Sequence, residues 1–316
     1  LALPLPLPRT WSIDALASRV SRSIGSAGAL VLALSSVGCA ASVTAPAVAP
    51  TLSPLLAKAP LLEQYTAPEE AVATLLAENP SPWAGVAWTA SDARCPADMA
   101  LVGDRVCVDR WENALVERVP GGTERFWPPY MPPDGKEARL RAVSRPDVLP
   151  QGYISGVQAK GMCRASGKHL CAPDEWDVAC RGSAKTTFPY GAERRAGVCN
   201  DDIRAVHPVA EVALLVGLPS TEWWSAGMNN PLINQLPSGL LETGARASCT
   251  NDYGVYDMVG NLHEWVDDSD GTFRGGYYMD TTLNGEGCSY QTTAHDFDYH
   301  DYSTGFRCCA EPDRVE

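Results

Sequence analysis

Positive charge is scarce in this chain: 25 Lys and Arg stand against 38 Asp and Glu, a formal net charge of −13 over 316 residues. Sequence-independent binding to nucleic acid needs clustered Lys and Arg to release counterions, so the balance argues against that partner. Thiol pairs at CxxC spacing are absent, which argues against zinc ribbons and thioredoxin-type redox motifs. No G-x-S-x-G run occurs, so a Ser-His-Asp hydrolase of that design has no support. Only five histidines are present, none in a His-x-His cluster, and no internal repeat is visible. The apolar run from Ile24 to Val37 is too short to span a bilayer as a stop-transfer helix.

What is present points outward from the cell. Apolar residues make up 45% of the chain and include nine tryptophans, ample for a sizeable core. Cys39 stands apart from the other ten cysteines, an even number suited to five disulfides in an exported domain. Residues 1–39 read as an export signal, with Arg19 and Arg22 ahead of the apolar run. The run ends Ser36-Val37-Gly38-Cys39, which resembles a bacterial lipoprotein cleavage box and makes Cys39 the expected lipidation site. The protein is therefore expected in the periplasm or at the cell surface, touching a membrane only through that anchor. Residues 40–92 follow as an Ala/Pro-rich tether, with apolar residues near helical spacing from Leu61 to Glu78.

A single folded domain is expected over residues 93–316. The run from Cys95 to Glu112 reads as two short strands around the Gly103-Asp104 turn, and a Cys95–Cys107 bridge would close that hairpin locally. Val119 to Pro150 carries many Pro and Gly residues and reads as irregular surface structure. One helix is expected from Ile154, and a second from Ala172-Pro173, where Pro and two acids suit a first turn, to about Cys180. Residues 183–250 read as loop. Tyr256 to Gly276, with glycines at Gly260, Gly275 and Gly276, reads as a loop-and-strand unit whose backbone closely approaches something.

Four blocks in order resemble the sulfatase-modifying factor family, whose fold is that of the formylglycine-generating enzyme. They are CPADMALVGDRVCVDRWE at Cys95–Glu112, the stretch from Val157 that ends GKHLCAPDEWDVACRG at Gly182, YGVYDMVGNLHEWVDD at Tyr253–Asp268, and FRGGYYM followed by TGFRCC. The resemblance implies an α+β fold: one compact, disulfide-stapled domain of low secondary-structure content, related to C-type lectins. It implies disulfides Cys163–Cys308 and Cys180–Cys288. The pairing of Cys171, Cys199, Cys249 and Cys309 stays open, with Cys171–Cys309 and Cys199–Cys249 as one choice.

The same resemblance implies a calcium held by Asp257, the carbonyls of Gly260 and Leu262, and Glu264, the hard oxygen donors that this ion takes. It also sets this chain apart from the family's copper chemistry, which needs two thiolates. Those positions hold Asp280 and Gly285, while two further pocket positions hold His263 and Tyr277. The function expected is thus a calcium-binding accessory module without copper, recognising a protein, peptide or glycan. The alternative is a divergent oxidase or oxygenase with iron on His263, Asp280 and either His295 or His300. Thr292 to Tyr302, which interleaves acids, histidines and aromatics, suits either ligand recognition or a rigid pinned loop.

Overall fold

Short strands and tight turns dominate, as a sequence with 27 Gly and 25 Pro requires. The computed structural model describes residues 93–201 and 204–314. The expected leader, Cys39, the tether and the Leu61–Glu78 segment lie outside the described residues. Three helices are described: α1 (Gly156–Ala165), α2 (Pro173–Arg181) and α3 (Pro208–Val216). The strands form three small sheets.

The first sheet begins with β1 (Met99–Val102) and β2 (Val106–Asp109), an antiparallel hairpin turning at Gly103 and Asp104, both with positive φ. The closing strand β11 (Cys308–Ala310) adds to β2 and also pairs with the two-residue strand β6 (His169–Leu170). The second sheet runs β10 (Thr304–Phe306), β7 (His263–Trp265), β8 (Phe273–Arg274), β9 (Gln291–Thr292), and β10 is parallel to β7. The third places β3 (Asn113–Arg118) between β4 (Glu124–Phe126) and β5 (Leu140–Ser144). The irregular reading of Val119–Pro150 is therefore corrected: Leu140 to Ser144 is a paired, mostly buried strand despite the Pro and Gly residues on either side.

Helix ends follow local chemistry. Ser155 caps α1 by a reciprocal pair, its hydroxyl accepting from the Gln158 N–H at 3.2 Å and its own N–H donating to the Gln158 side chain at 3.1 Å. Pro173 opens α2, and Glu175 reaches back to the Ala172 N–H at 2.8 Å. The third helix corrects the loop reading of residues 183–250. Pro208 there is a helix starter at the first turn, His207 Nδ1 accepts from the Val209 N–H at 3.3 Å, and Gly217 in the left-handed region ends it. Its last turn leaves Leu214, Leu215 and Val216 exposed.

Five disulfides close the described domain: Cys95–Cys107, Cys163–Cys308, Cys171–Cys309, Cys180–Cys288 and Cys199–Cys249. Adjacent Cys308 and Cys309 point to opposite faces of β11, so one strand is tied to α1 and to the segment after β6. The core holds Trp176 from α2 and Trp265 from β7, both fully buried.

Candidate functional site

The site is built on the loop that leads into β7. Asp257 and Asn261 both lie at positive φ, as does Gly260. A side chain at Gly260 would place its Cβ 2.2 Å from the Asn200 carbonyl oxygen, so the close approach expected of this glycine is to the main chain of another loop. Asn261 organises the junction. Its Oδ1 accepts from Asn200 Nδ2 at 2.8 Å and from the Leu241 N–H at 3.0 Å, while its Nδ2 donates to Glu112 at 2.5 Å. The other oxygen of Glu112 accepts from the Leu262 N–H at 3.0 Å.

Three carboxylates are buried here with one guanidinium. Arg307, fully buried, forks onto Glu264 at 2.7 to 3.2 Å and donates to the carbonyls of Asp109 and Tyr256, both at 2.8 Å. Trp176 Nε1 completes the Glu264 partners at 2.7 Å. Asp257 accepts from the Gly244 N–H at 2.6 Å. Burial pushes the Asp257 carboxyl up to about 7, against the opposing pull of Gly244 and Arg307. Burial and then the charges of Asp257 and Glu264 push Glu112 well above the usual carboxylate range. Burial works against the charge of Arg307, but Glu264, Glu112 and Asp257 together hold its proton more tightly than in a free arginine.

Calcium can be tested against this donor set. Glu264 is paired with Arg307, and among the described residues no second cation forms an ion pair with the buried carboxyls of Glu112 and Asp257. Buried carboxylates without a partner charge are costly, and a divalent cation among them would relieve that cost. Among the described residues no three His, Cys, Asp or Glu side chains converge on one point. Both oxygens of Glu264 are taken by Arg307 and Trp176, so of the expected donors Asp257 and the carbonyls of Gly260 and Leu262 would have to carry most of a calcium's coordination.

Beside this cluster lies an aromatic box. His263 sits 5% exposed, with ring centroids of Phe273 at 4.6 Å, Tyr277 at 4.7 Å and Tyr290 at 5.4 Å. Its Nδ1 is buried with no hydrogen-bond partner, and burial, then the neighbouring His295, lowers its pKa to about 3. Tyr277 receives a hydrogen bond from the Tyr302 hydroxyl at 3.3 Å, and Tyr302 lies 3.4 Å from His207 Nε2. Since His207 Nδ1 accepts from the main chain, the neutral ring carries its proton on Nε2 and donates to Tyr302. Burial, then the charge of Arg204, lowers the His207 pKa to about 4.

The iron set does not assemble. Asp280 turns one carboxylate oxygen onto the N–H groups of Thr282 at 2.9 Å and Leu283 at 3.1 Å, capping its own turn. His300 bonds Asn229 at 3.0 Å and lies 3.8 Å from Asp134. His295 stacks on Tyr299 at 3.7 Å. Within Thr292–Tyr302, Phe297 packs edge-on to Trp265 and the Tyr299 hydroxyl donates to Asp301 at 2.7 Å, so the loop is pinned at these points. All ten described cysteines are in disulfides, so no described thiolate is available.

The model of the sulfatase-modifying factor enzyme 1-like domain matches residues 115–312, more than half of the chain. The chain belongs to that family. A curated relative, the inactive C-alpha-formylglycine-generating enzyme 2 of Bos taurus, is 25% identical over 175 residues, 51% of this chain and 50% of that protein. The chain thus spans about half the length of the curated relative it matches. Among solved structures, the Major Tropism Determinant U1 variant shares 12% identity, covering 72% of this chain and 55% of its own at a TM-score of 0.37. CarF shares 16%, covering 50% and 64% at 0.31.

As a family member the domain is mixed α/β with few helices, as its four sequence blocks imply, and has the five disulfides that ten cysteines suit. The partners of the GN-x-x-E loop were not all legible beforehand. Arg307 of the GFRC block, Glu112 of the DRWE block and the His207–Tyr302–Tyr277 chain are contributions that only the folded arrangement reveals. The first two lay inside motifs already quoted; nothing in the sequence marked His207.

Proposed function

We propose that this chain is an exported, calcium-binding member of the family that works as a binding or accessory module, without copper-dependent formylglycine formation. One observation carries the reading. Asp280 and Gly285 stand where the family resemblance calls for thiols, and every described cysteine is closed in a disulfide. Copper(I) bound through two thiolates has no ligands in such a domain. The name of the bovine relative, an inactive formylglycine-generating enzyme, is in keeping with this.

Export is supported by the leader pattern ending at Cys39 and by five disulfides, which persist in oxidising compartments. Calcium is supported by the buried carboxylate excess around Arg307. The ligand of the module is a protein, peptide or glycan. Two measurements decide the reading. A thiol titration of the denatured, unreduced mature domain should find none, and incubation with copper(I) and a cysteine-bearing sulfatase peptide should give no aldehyde by mass. Aldehyde formation, or two titratable thiols, would overturn the proposal. For calcium, chelation should lower the melting temperature, and re-addition of calcium should restore it; no change on chelation would remove the metal from the reading.

A further inference from the structure

Of the seven large apolar side chains exposed among the described residues, five fall in one short stretch: Val206, Leu214, Leu215, Val216 and Trp224. The inner side of α3 is buried through Val209, Val212 and Ala213, yet its last turn presents leucine and valine where a surface helix presents polar residues. Leu214 is 69% exposed and Trp224 58%. Val206 precedes the cap residue His207, and Trp224 meets the His207 ring edge-on at 4.7 Å. The five side chains therefore lie on or against a single nine-residue helix.

Charge is missing from the same stretch. From Ala205 to Leu241 the only charged residues are Glu211 and Glu222, in a chain that is 20% charged, and Glu211 is paired with Arg204. The last turn has also closed its own backbone. The N–H of Gly217, which is left-handed, donates to the Leu214 carbonyl at 3.4 Å, and that of Leu218 donates to the Ala213 carbonyl at 2.8 Å. A helix end enters an apolar medium at low cost only when its carbonyls are met in this way, because no water is there to meet them.

Apolar patches of this kind mark contacts with a protein or a membrane, and the chain ahead of the described residues favours the membrane. A lipid at Cys39, with residues 40–92 as tether, would keep the domain beside a bilayer, where even a weak contact forms at high effective concentration. Tryptophan at the edge of an apolar face suits the headgroup level. A net charge of −13 is repelled by an anionic surface but not by a zwitterionic one. We propose that α3 and Trp224 form a second membrane contact, laying Leu214, Leu215 and Val216 into the headgroup boundary of a zwitterionic bilayer. The setting rests on the proposed export and the expected lipid at Cys39; the affinity of this face for lipid does not.

The test uses the chain from residue 39 onward, with Cys39, the one cysteine outside the five disulfides, coupled to a maleimide lipid in phosphatidylcholine vesicles. Tryptophan quenching by brominated acyl chains reads the contact. Wild type should be quenched, and Trp224→Phe should lose most of that quenching. Leu214→Gln combined with Leu215→Gln should melt like wild type, because both side chains are exposed, and should weaken docking about tenfold or more. Adding phosphatidylglycerol should weaken docking of the wild type. Quenching that survives in Trp224→Phe, or docking that the double glutamine variant leaves unchanged, would overturn the contact. So would a dimer in sedimentation that the same variant abolishes, since a second copy would then cover the face. Absence of lipid on Cys39 of the native protein, by mass, would remove the anchor and leave the vesicle result to stand or fall by itself.

Discussion

Arg307 is the residue on which most of the interior charge depends. Removing it would strand Glu264 beside Glu112 and Asp257 in a buried place. Breaking a buried pair from one side costs about 3–5 kcal/mol. Arg307→Gln should therefore melt far below wild type, or fail to fold, and Arg307→Lys should not rescue it because an ammonium cannot reproduce the fork onto Glu264 and two carbonyls. Thermal melts of the two variants check this. His207 offers a second test, in pH. Its folded-state pKa, about 4, lies below its ordinary 6.5, so the fold favours the neutral ring. That contribution is complete above pH 6.5 and is lost as pH falls towards 4. His207→Asn keeps an acceptor at the start of α3 and removes the titration. The melting temperature of the variant should fall less than that of wild type between about pH 7 and pH 5. Glu112 and Asp257, whose pKa values move the other way, are present in both proteins and cancel in the comparison.

At the scale of elements, the cap of α1 and the loop before β7 make separate predictions. Ser155→Ala removes one half of the reciprocal cap and should cost about 1 kcal/mol, read as a small shift in denaturant midpoint with unchanged slope. Gly260→Ala is a different order of change. It forces a Cβ to within 2.2 Å of the Asn200 carbonyl at a residue of positive φ, so the two loops must separate. Loss of the cooperative melt, with release of the Asn200–Asn261 hydrogen bond, is the expected outcome. These elements differ in legibility for a physical reason. The β1–β2 turn at Gly103-Asp104 and the start of α2 at Pro173 are set by neighbours along the chain. The third helix is not legible in the sequence because Pro208 breaks a helix anywhere but in its first turn, and which case applies depends on the packing of Val209 and Val212 in the core.

Across the whole molecule, the disulfides replace regular secondary structure as the long-range constraint. Cys163–Cys308 spans 145 residues and Cys171–Cys309 spans 138. In the chain-entropy picture, closing one loop of that length restricts the unfolded ensemble by about 4–5 kcal/mol, and the second, which nearly coincides with the first, adds less. Reduction in mild denaturant should unfold the domain at concentrations that leave the oxidised form intact, followed by tryptophan fluorescence.

By itself the sequence determined the family, the disulfide-rich α+β class and the positions of the glycine turns, because these rest on residue type and short spacing. Its resemblance to the family also implies that His263, Tyr277 and Asp280 stand at copper-pocket positions. Only the tertiary structure decided that Asp280 serves its own turn, that Glu264 belongs to Arg307 and that Glu112 holds the Asn261 loop. The last two join residues 43 and 149 positions apart, and burial rather than sequence neighbourhood brings these groups together.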